Sequence, residues 1–114
     1  MTSPQARKGA SFERAVVEYL RANGHPFVER AYGAGRPDDV GDLDGLVGWT
    51  CELKNHARLD LSGWLNEAEA ERKNGRQPFA CVIAKRRGQN VAASYVVMPL
   101  STFAALLADD EVTP

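Results

Sequence analysis

The stretch TCELKN at residues 50–55 alternates polar and apolar side chains, with Thr50, Glu52 and Lys54 in the polar positions. A period of two is typical of a β-strand, because successive side chains point to opposite faces of a sheet. The intervening cysteine and leucine are therefore expected to face a core. The polar face is either an ordinary solvated strand face, which is the commoner case, or a site at which the glutamate and the lysine act together.

The composition is typical of one soluble domain. The chain has 114 residues, of which 44% are hydrophobic and 25% charged, and its net charge is −1. We expect one domain over residues 1–114, with short tails at about residues 1–7 and 109–114. No apolar run approaches membrane-spanning length and the N-terminus has no apolar signal region, so we expect a cytoplasmic protein without membrane contact. Cys51 and Cys81 have no metal-binding spacing and are expected to be reduced core residues.

Hydrophobic periodicity predicts eight elements in the order α-β-β-β-α-β-β-α. The first helix carries an apolar face from Phe12 and ends near Gly24, and a second helix covers about residues 62–74. The remaining elements are the strands FVERAY (27–32), DLDGLV (42–47), WTCELKN (49–55), FACVIA (79–84) and SYVVM (94–98), and a last helix STFAALLA (101–108). The second and third strands are expected to form a hairpin around Gly48. We therefore predict a three-layer α/β domain with a mixed central sheet flanked by helices.

The predicted hairpin would bring Asp42 opposite residue 53 or 54, next to Glu52 and Lys54. Carboxylates held this close repel one another unless a cation joins them. Mg²⁺ or Mn²⁺ would be satisfied by the two carboxylates, the backbone carbonyl of Leu53 and several waters. Lys54 would then orient or deprotonate the attacking water, which is chemistry suited to phosphodiester hydrolysis. Asp44 competes with Asp42, because both side chains would point the same way from the strand.

The motif residues resemble those of a known nuclease superfamily. GDLDG at residues 41–45, followed by CELKN at residues 51–55, resembles the D…ExK signature of the PD-(D/E)XK nucleases, with Gly41 in place of the usual proline. KGASFERAVVEYLRANG at residues 8–24 is similar to the first helix of the small Holliday junction resolvases of archaea and phages. The resemblance covers about residues 8–98 and implies a restriction-endonuclease-like core.

This resemblance implies an endodeoxyribonuclease that depends on Mg²⁺, or on Mn²⁺ in its place, and that acts as a homodimeric Holliday junction resolvase. Its location would be the cytoplasm of its cell, or of the host cell if it is phage-encoded. Asp42 and Glu52 would be metal ligands, Lys54 the catalytic lysine and Glu13 an accessory ligand, although an ordinary helix-surface glutamate is also compatible with Glu13. The alternatives are another small nuclease of the superfamily, acting on flaps, ends or nicked duplex, and a non-catalytic DNA-binding module on the same fold.

Several basic residues are candidates for DNA contact. Arg30 and Arg36 flank a glycine-rich loop, a region that reaches the DNA backbone in the family that the chain resembles. Arg58 follows the motif and could hold a phosphate near the metal. A basic turn adds Lys85, Arg86 and Arg87. Charged runs of this kind are usually solvated faces, so the pattern permits nucleic-acid binding without requiring it.

Overall fold

The computed structural model describes residues 3–31 and 40–112 and is an α/β structure with three helices. In chain order its elements are α1 (Pro4–Ala22), β1 (Glu29–Arg30), β2 (Leu43–Asp44), β3 (Trp49–Lys54), α2 (Leu61–Gly75), β4 (Phe79–Ala84), a 3-10 helix (Val91–Ala93), β5 (Tyr95–Val97) and α3 (Leu100–Val112). The predicted order of helices and strands is confirmed, with the 3-10 helix as an addition.

The strands form two sheets in place of one. β3 pairs with β4 in parallel, with Cys51 opposite Cys81, and β5 runs antiparallel to β4. This three-stranded mixed sheet has the order β3-β4-β5, and β1 and β2 form a separate antiparallel pair. The prediction of a mixed sheet is therefore confirmed for three of the predicted strands.

The predicted hairpin between the second and third strands is wrong in its pairing. β2 pairs with β1, so that Glu29 lies opposite Asp44. Gly45 ends β2 with a φ of +90°, and a Cβ atom at this position would collide with the backbone carbonyl of Phe27. Glycine alone accommodates both the positive φ and the close approach. The turn holds β2 against the segment that precedes β1. Asp42, the residue before β2, hydrogen-bonds to β3.

Helices cover both faces of the three-stranded sheet. The apolar side chains of α1 pack on the face that carries the odd-numbered residues of β3, in a cluster that includes Phe12, Val16, Cys51, Leu53 and Cys81. α2 packs on the opposite face, in a cluster of Trp64, Ala68, Ala80, Val82 and Ala84. The alternation read from the sequence of β3 is thereby confirmed, because its cysteine and leucine lie in the α1 core.

Two helices are longer than the sequence predicted. α1 begins at Pro4, inside the predicted N-terminal tail, because the Ser3 hydroxyl accepts a hydrogen bond from the Ala6 N–H at 3.0 Å and proline is favoured in a first helical turn. α3 likewise continues to Val112, into the predicted C-terminal tail. Among the described residues, none of the helices combines the length and the apolarity needed to cross a bilayer.

Candidate functional site

The polar face of β3 is buried beneath α2. Thr50 is 1% exposed and Glu52 is 5% exposed, and the side chain of Lys54 is 15% exposed. The same alternation that directs the cysteine and leucine of this strand towards α1 directs these three side chains towards α2. An ordinary solvated strand face is therefore excluded here, and the burial of ionisable groups costs free energy unless they are paired or neutralised.

Asp42 is held against the edge of β3 by two hydrogen bonds. Its backbone N–H donates to the carbonyl of Cys51 at 2.8 Å, and its carboxylate Oδ2 accepts the N–H of Leu53 at 2.8 Å. Because the backbone groups of alternate residues point to the same side of a strand, the Leu53 carbonyl is directed to this edge as well. The carboxylate and the carbonyl that the sequence predicted as metal ligands therefore lie at the same edge of β3.

Gly41, which stands where the nuclease signature usually has proline, adopts a backbone that proline cannot. Its φ is +103°, whereas the proline ring fixes φ near about −65°. A Cβ atom at this position would lie 3.0 Å from Cγ2 of Thr50 and 3.2 Å from the carbonyl oxygen of Cys51. Glycine in place of proline thus allows the chain before Asp42 to pack closely against β3.

Lys54 forms ion pairs with two glutamates. Its Nζ lies 2.8 Å from Oε2 of Glu67 and 3.5 Å from Oε1 of Glu52. Burial lowers the pKa of Lys54, but the hydrogen bond to Glu67 and the negative charge of Glu52 together raise it above its ordinary value. The side chain is therefore an ammonium group at neutral pH, and it offsets part of the negative charge around it.

Two glutamates of α2 complete an acidic cluster that the sequence analysis missed. Single carboxylate oxygens of Glu52, Glu67 and Glu71 all lie within 4.8 Å of one another. A signal was available in the sequence, because Glu67 and Glu71 share the helix stripe that begins with the buried residues Trp64 and Ala68. A glutamate in the stripe that faces a core requires a partner there.

Glu52 is the most perturbed group of the cluster. Burial, together with the neighbouring carboxyl of Glu71 and the negative charge of Asp42, raises the pKa of Glu52 from 4.5 to about 10. Its side chain shares a hydrogen bond with Glu71, and within the described ranges 3–31 and 40–112 no group other than a carboxyl donates to its buried Oε2. Such a carboxyl is stable when it carries a proton or touches a cation, and carboxylate oxygens are preferred ligands of hard divalent cations. The acidic cluster could therefore hold a metal ion.

Glu13 and Arg30 are engaged with each other. Nη2 of Arg30 lies 2.7 Å from Oε2 of Glu13, an ion pair that links α1 to β1. The residue after this strand, Ala31, donates its N–H to the carbonyl of Asp42 at 2.9 Å. The accessory glutamate is thus connected to the segment that carries Asp42. The contacts with Arg30 engage one carboxylate oxygen of Glu13, so a role as a metal ligand for Glu13 would use its other oxygen.

A basic cavity of about 290 Å³ opens beyond the carboxyl ends of β3 and β4. Asn55 and Lys85, which directly follow these two strands, line it together with Lys8, His56 and Arg87. In open α/β sheets, ligands bind outside the carboxyl ends of the strands. The cavity therefore combines the position and the positive charge expected of a phosphate-binding surface.

The other predicted DNA contacts are dispersed. Arg86 lies over the ring of Tyr95, with its guanidinium carbon 5.7 Å from the ring centroid. Arg58 is exposed in the segment between β3 and α2. Arg36, and Tyr32 at the other end of the glycine-rich loop, lie outside the described residues. The structure thus places Lys85 and Arg87 together at the cavity and places Arg58 on an open surface.

Comparison with known proteins adds no relative. The chain matches no family model, no curated protein and no solved structure. A function for this chain therefore has to follow from its own residues and their arrangement.

Proposed function

We propose that this protein is a Mg²⁺-dependent DNA endonuclease that resolves four-way junctions. The observation that carries the proposal is the placement of Asp42 against the edge of β3, the strand that carries Glu52 and Lys54. Glu52 is buried, Lys54 lies 3.5 Å from its Oε1, and the charge of Asp42 contributes to its raised pKa. Strongly perturbed carboxyls beside a cationic side chain are characteristic of functional sites.

The oxygen atoms at this edge of β3, with those of Glu52 on the adjoining face beneath α2, are of the kind that a divalent cation prefers. Asp42, Glu52 and the Leu53 carbonyl would hold Mg²⁺, or Mn²⁺ in its place, because both ions prefer oxygen ligands. The bound ion would polarise a phosphate oxygen and lower the pKa of a water molecule. Asp42 is oriented for this purpose, since the hydrogen bond from the Leu53 N–H at 2.8 Å fixes one carboxylate oxygen and outer contacts of this kind orient metal ligands.

Lys54 acts as a fixed positive charge in this proposal. Its raised pKa disfavours the neutral amine that a general base would need at neutral pH. The ammonium group instead orients the attacking water and offsets the negative charge that develops on the phosphate oxygens. Glu67 holds the ammonium group in position through its contact at 2.8 Å.

The basic cavity supplies the contacts to DNA. It begins at Asn55, the residue after Lys54, so Lys85 and Arg87 would bind a backbone phosphate next to the strand that carries the proposed active site. A small domain with this cavity is better suited to contact the phosphate backbone than to read bases in a groove. Recognition would depend on the shape of the four-way junction, through phosphates that lie at fixed distances from the scissile bond.

The exposed apolar side chains of α3 support assembly of two copies. Leu100, Phe103 and Leu107 are exposed and recur on one stripe of the helix, and Val96 is exposed on the edge strand β5. Exposed apolar patches commonly mark protein–protein contacts. Resolution of a junction needs two nicks in strands related by symmetry, and a C2 dimer supplies two sites in a fixed relation. Sedimentation should report a dimer, and a monomer would contradict this part of the proposal.

The proposal is tested by incubating the full chain with Mg²⁺ and four labelled DNAs of related sequence: a four-way junction, a linear duplex, a flap and a single strand. Paired, symmetric nicks in the junction, abolished by a chelator, are the expected result. Equal cleavage of junction and duplex would favour a nuclease of different specificity. Binding without cleavage would favour a non-catalytic module, and full activity in chelator would contradict the metal site.

A further inference from the structure

The basic cavity beyond β3 and β4 has more than positive charge on its walls. We propose that it binds one unpaired nucleotide of a DNA strand, with the phosphate on Lys85 and Arg87 and the base stacked on Tyr95. The assignment of this nucleotide to a DNA strand beside the cleavage site rests on the proposed function, whereas the binding of a nucleotide in the cavity does not.

The size of the cavity fits a single small ligand. Its volume of about 290 Å³ lies at the lower end of the range of roughly 300–1,000 Å³ that is usual for small-molecule sites. A duplex is far larger, since its major groove alone is about 12 Å wide. The cavity can therefore hold one nucleotide unit that has left its helix, whereas a base pair would remain outside.

The charged part of the wall suits a phosphate group. Lys8, Lys85 and Arg87 supply three cationic side chains, and the described residues that line the cavity include no carboxylate. Gly88, the next residue of the basic turn, has a φ of +74°, a backbone conformation that glycine adopts readily. Charge-assisted hydrogen bonds from lysine and arginine to phosphate are among the strong ones, so this side of the cavity favours an anion.

The uncharged part of the wall suits a base. Tyr95 lines the cavity and is 42% exposed, and the guanidinium carbon of Arg86 lies 5.7 Å from the centroid of its ring. This cation–π contact restrains the ring. Ala57 and Leu59 add apolar side chains, with which a bare phosphate would make no favourable contact. Every base can stack on an aromatic ring, because every base has a π-face, so the walls together favour a nucleotide over a phosphate alone.

A nucleotide in the cavity would lie beside the proposed active site. The N–H of Lys85 donates to the carbonyl of Lys54 at 2.9 Å, and the Asn55 side chain, at the start of the cavity, donates to the carbonyl of Lys8 at 3.3 Å. A base in intact duplex is paired and stacked, and its extrusion costs free energy that is lowest where the base is already unpaired. The cavity would therefore favour DNA with a branch point over linear duplex.

The test measures the binding of four ligands to the full chain in chelator, by nuclear magnetic resonance shifts of backbone amides, which report weak affinities. The ligands are deoxyadenosine monophosphate, deoxythymidine monophosphate, deoxyribose phosphate and a thymidine tetranucleotide. Both mononucleotides should shift the amides of residues 85–88 and bind about fivefold or more tightly than deoxyribose phosphate, because of stacking. The tetranucleotide should bind more tightly still, since its other phosphates reach neighbouring cations.

Substitutions assign the gain in affinity to the ring. Tyr95→Ala should reduce the affinity for both mononucleotides to that for deoxyribose phosphate, whereas Tyr95→Phe should keep the wild-type difference. Tyr19→Ala is the matched control and should behave as wild type, because Tyr19 is 39% exposed and is not among the described residues that line the cavity. If Tyr95→Ala fails to fold, as judged by circular dichroism, Tyr95→Leu replaces it, since leucine removes the ring but keeps an apolar side chain on β5.

Equal affinity of the wild-type chain for the mononucleotides and for deoxyribose phosphate would overturn the inference, and so would the absence of binding. Unchanged mononucleotide binding by Tyr95→Ala would do the same. Equal affinity for the tetranucleotide and for deoxythymidine monophosphate would identify the occupant as a free nucleotide, which also contradicts the assignment to a DNA strand.

These affinities separate the inference from the proposed function. Mononucleotide binding that depends on Tyr95, together with an uncleaved junction, would support the nucleotide site and reject the nuclease. A cleaved junction, together with equal affinity for mononucleotide and deoxyribose phosphate, would support the nuclease and reject the nucleotide site.

Discussion

Replacing Glu52 with glutamine should stabilise the metal-free protein above about pH 6. The folded-state pKa of Glu52 is raised from 4.5 to about 10, with burial as the first cause, so folding takes up a proton at neutral pH. The stability contribution of a raised carboxyl is fully present below its unfolded pKa and is lost as the pH rises through the folded pKa. Glutamine has the shape of the protonated acid and takes up no proton, so it removes this loss.

The size of the effect follows from the slope of stability with pH. One proton taken up on folding lowers the free energy of unfolding by about 1.4 kcal/mol for each pH unit above the unfolded pKa. Between about pH 5.5 and 8.5 the wild-type protein should therefore lose about 4 kcal/mol relative to Glu52→Gln. Because Glu71 contributes to the raised pKa, the slope belongs to the pair of carboxyls, and wild type should be compared with the variant at each pH.

The assay is urea unfolding followed by circular dichroism, in chelator, at several values across this pH range. The surface variant Glu69→Gln serves as a control and should follow the wild-type profile, since its ion pair with Arg72 is partly exposed and such pairs contribute little. Added Mg²⁺ should reduce the wild-type slope, because a bound cation replaces the proton. Parallel profiles for wild type and Glu52→Gln, or a variant less stable than wild type at the highest pH, would refute the reasoning.

The remaining predictions concern DNA. Lys54→Ala should reduce junction cleavage by about a hundredfold or more, because it removes a positive charge that stabilises the transition state. Junction binding in a gel-shift assay should be nearly unchanged, and an equal loss of binding would contradict a catalytic role. Asp42→Asn should abolish cleavage and Asp44→Asn should be much milder, since the Asp42 carboxylate contacts β3; the reverse order would identify Asp44 as the ligand. Neutralising the basic turn 85–87 should weaken binding to all DNA forms and reduce the salt dependence of that binding. The positions of the nicks should not change, and a changed position would give the turn a role in specificity.

Local sequence signals were sufficient for much of the fold. The alternation in β3 predicted the strand and assigned its two faces, and the apolar run FACVIA predicted β4, which has helices on both sides. The order of elements followed from the same periodicities. These features depend on residues close together in the chain, where side-chain direction is fixed by backbone geometry.

Features that depend on distant residues could not be predicted in the same way. The pairing of β2 with β1 brings Gly45 so close to the backbone of Phe27 that a side chain would not fit there, and hydrophobic periodicity carries no information about this contact. Glu67 and Glu71 resemble the solvated glutamates of any helix until α2 docks on the polar face of β3. The stripe they share with Trp64 was the one local sign of their direction. Only the tertiary structure shows that Glu52 is the residue they contact.

The most direct test of the central claim is cleavage of a four-way junction in Mg²⁺ by wild type and by Glu52→Gln, with both proteins shown to be folded. We expect paired symmetric nicks by wild type and none by the variant, because the variant keeps the shape of the site but loses the buried carboxylate that would hold the ion. An uncut junction with wild type, or equal cleavage by the two proteins, would contradict it.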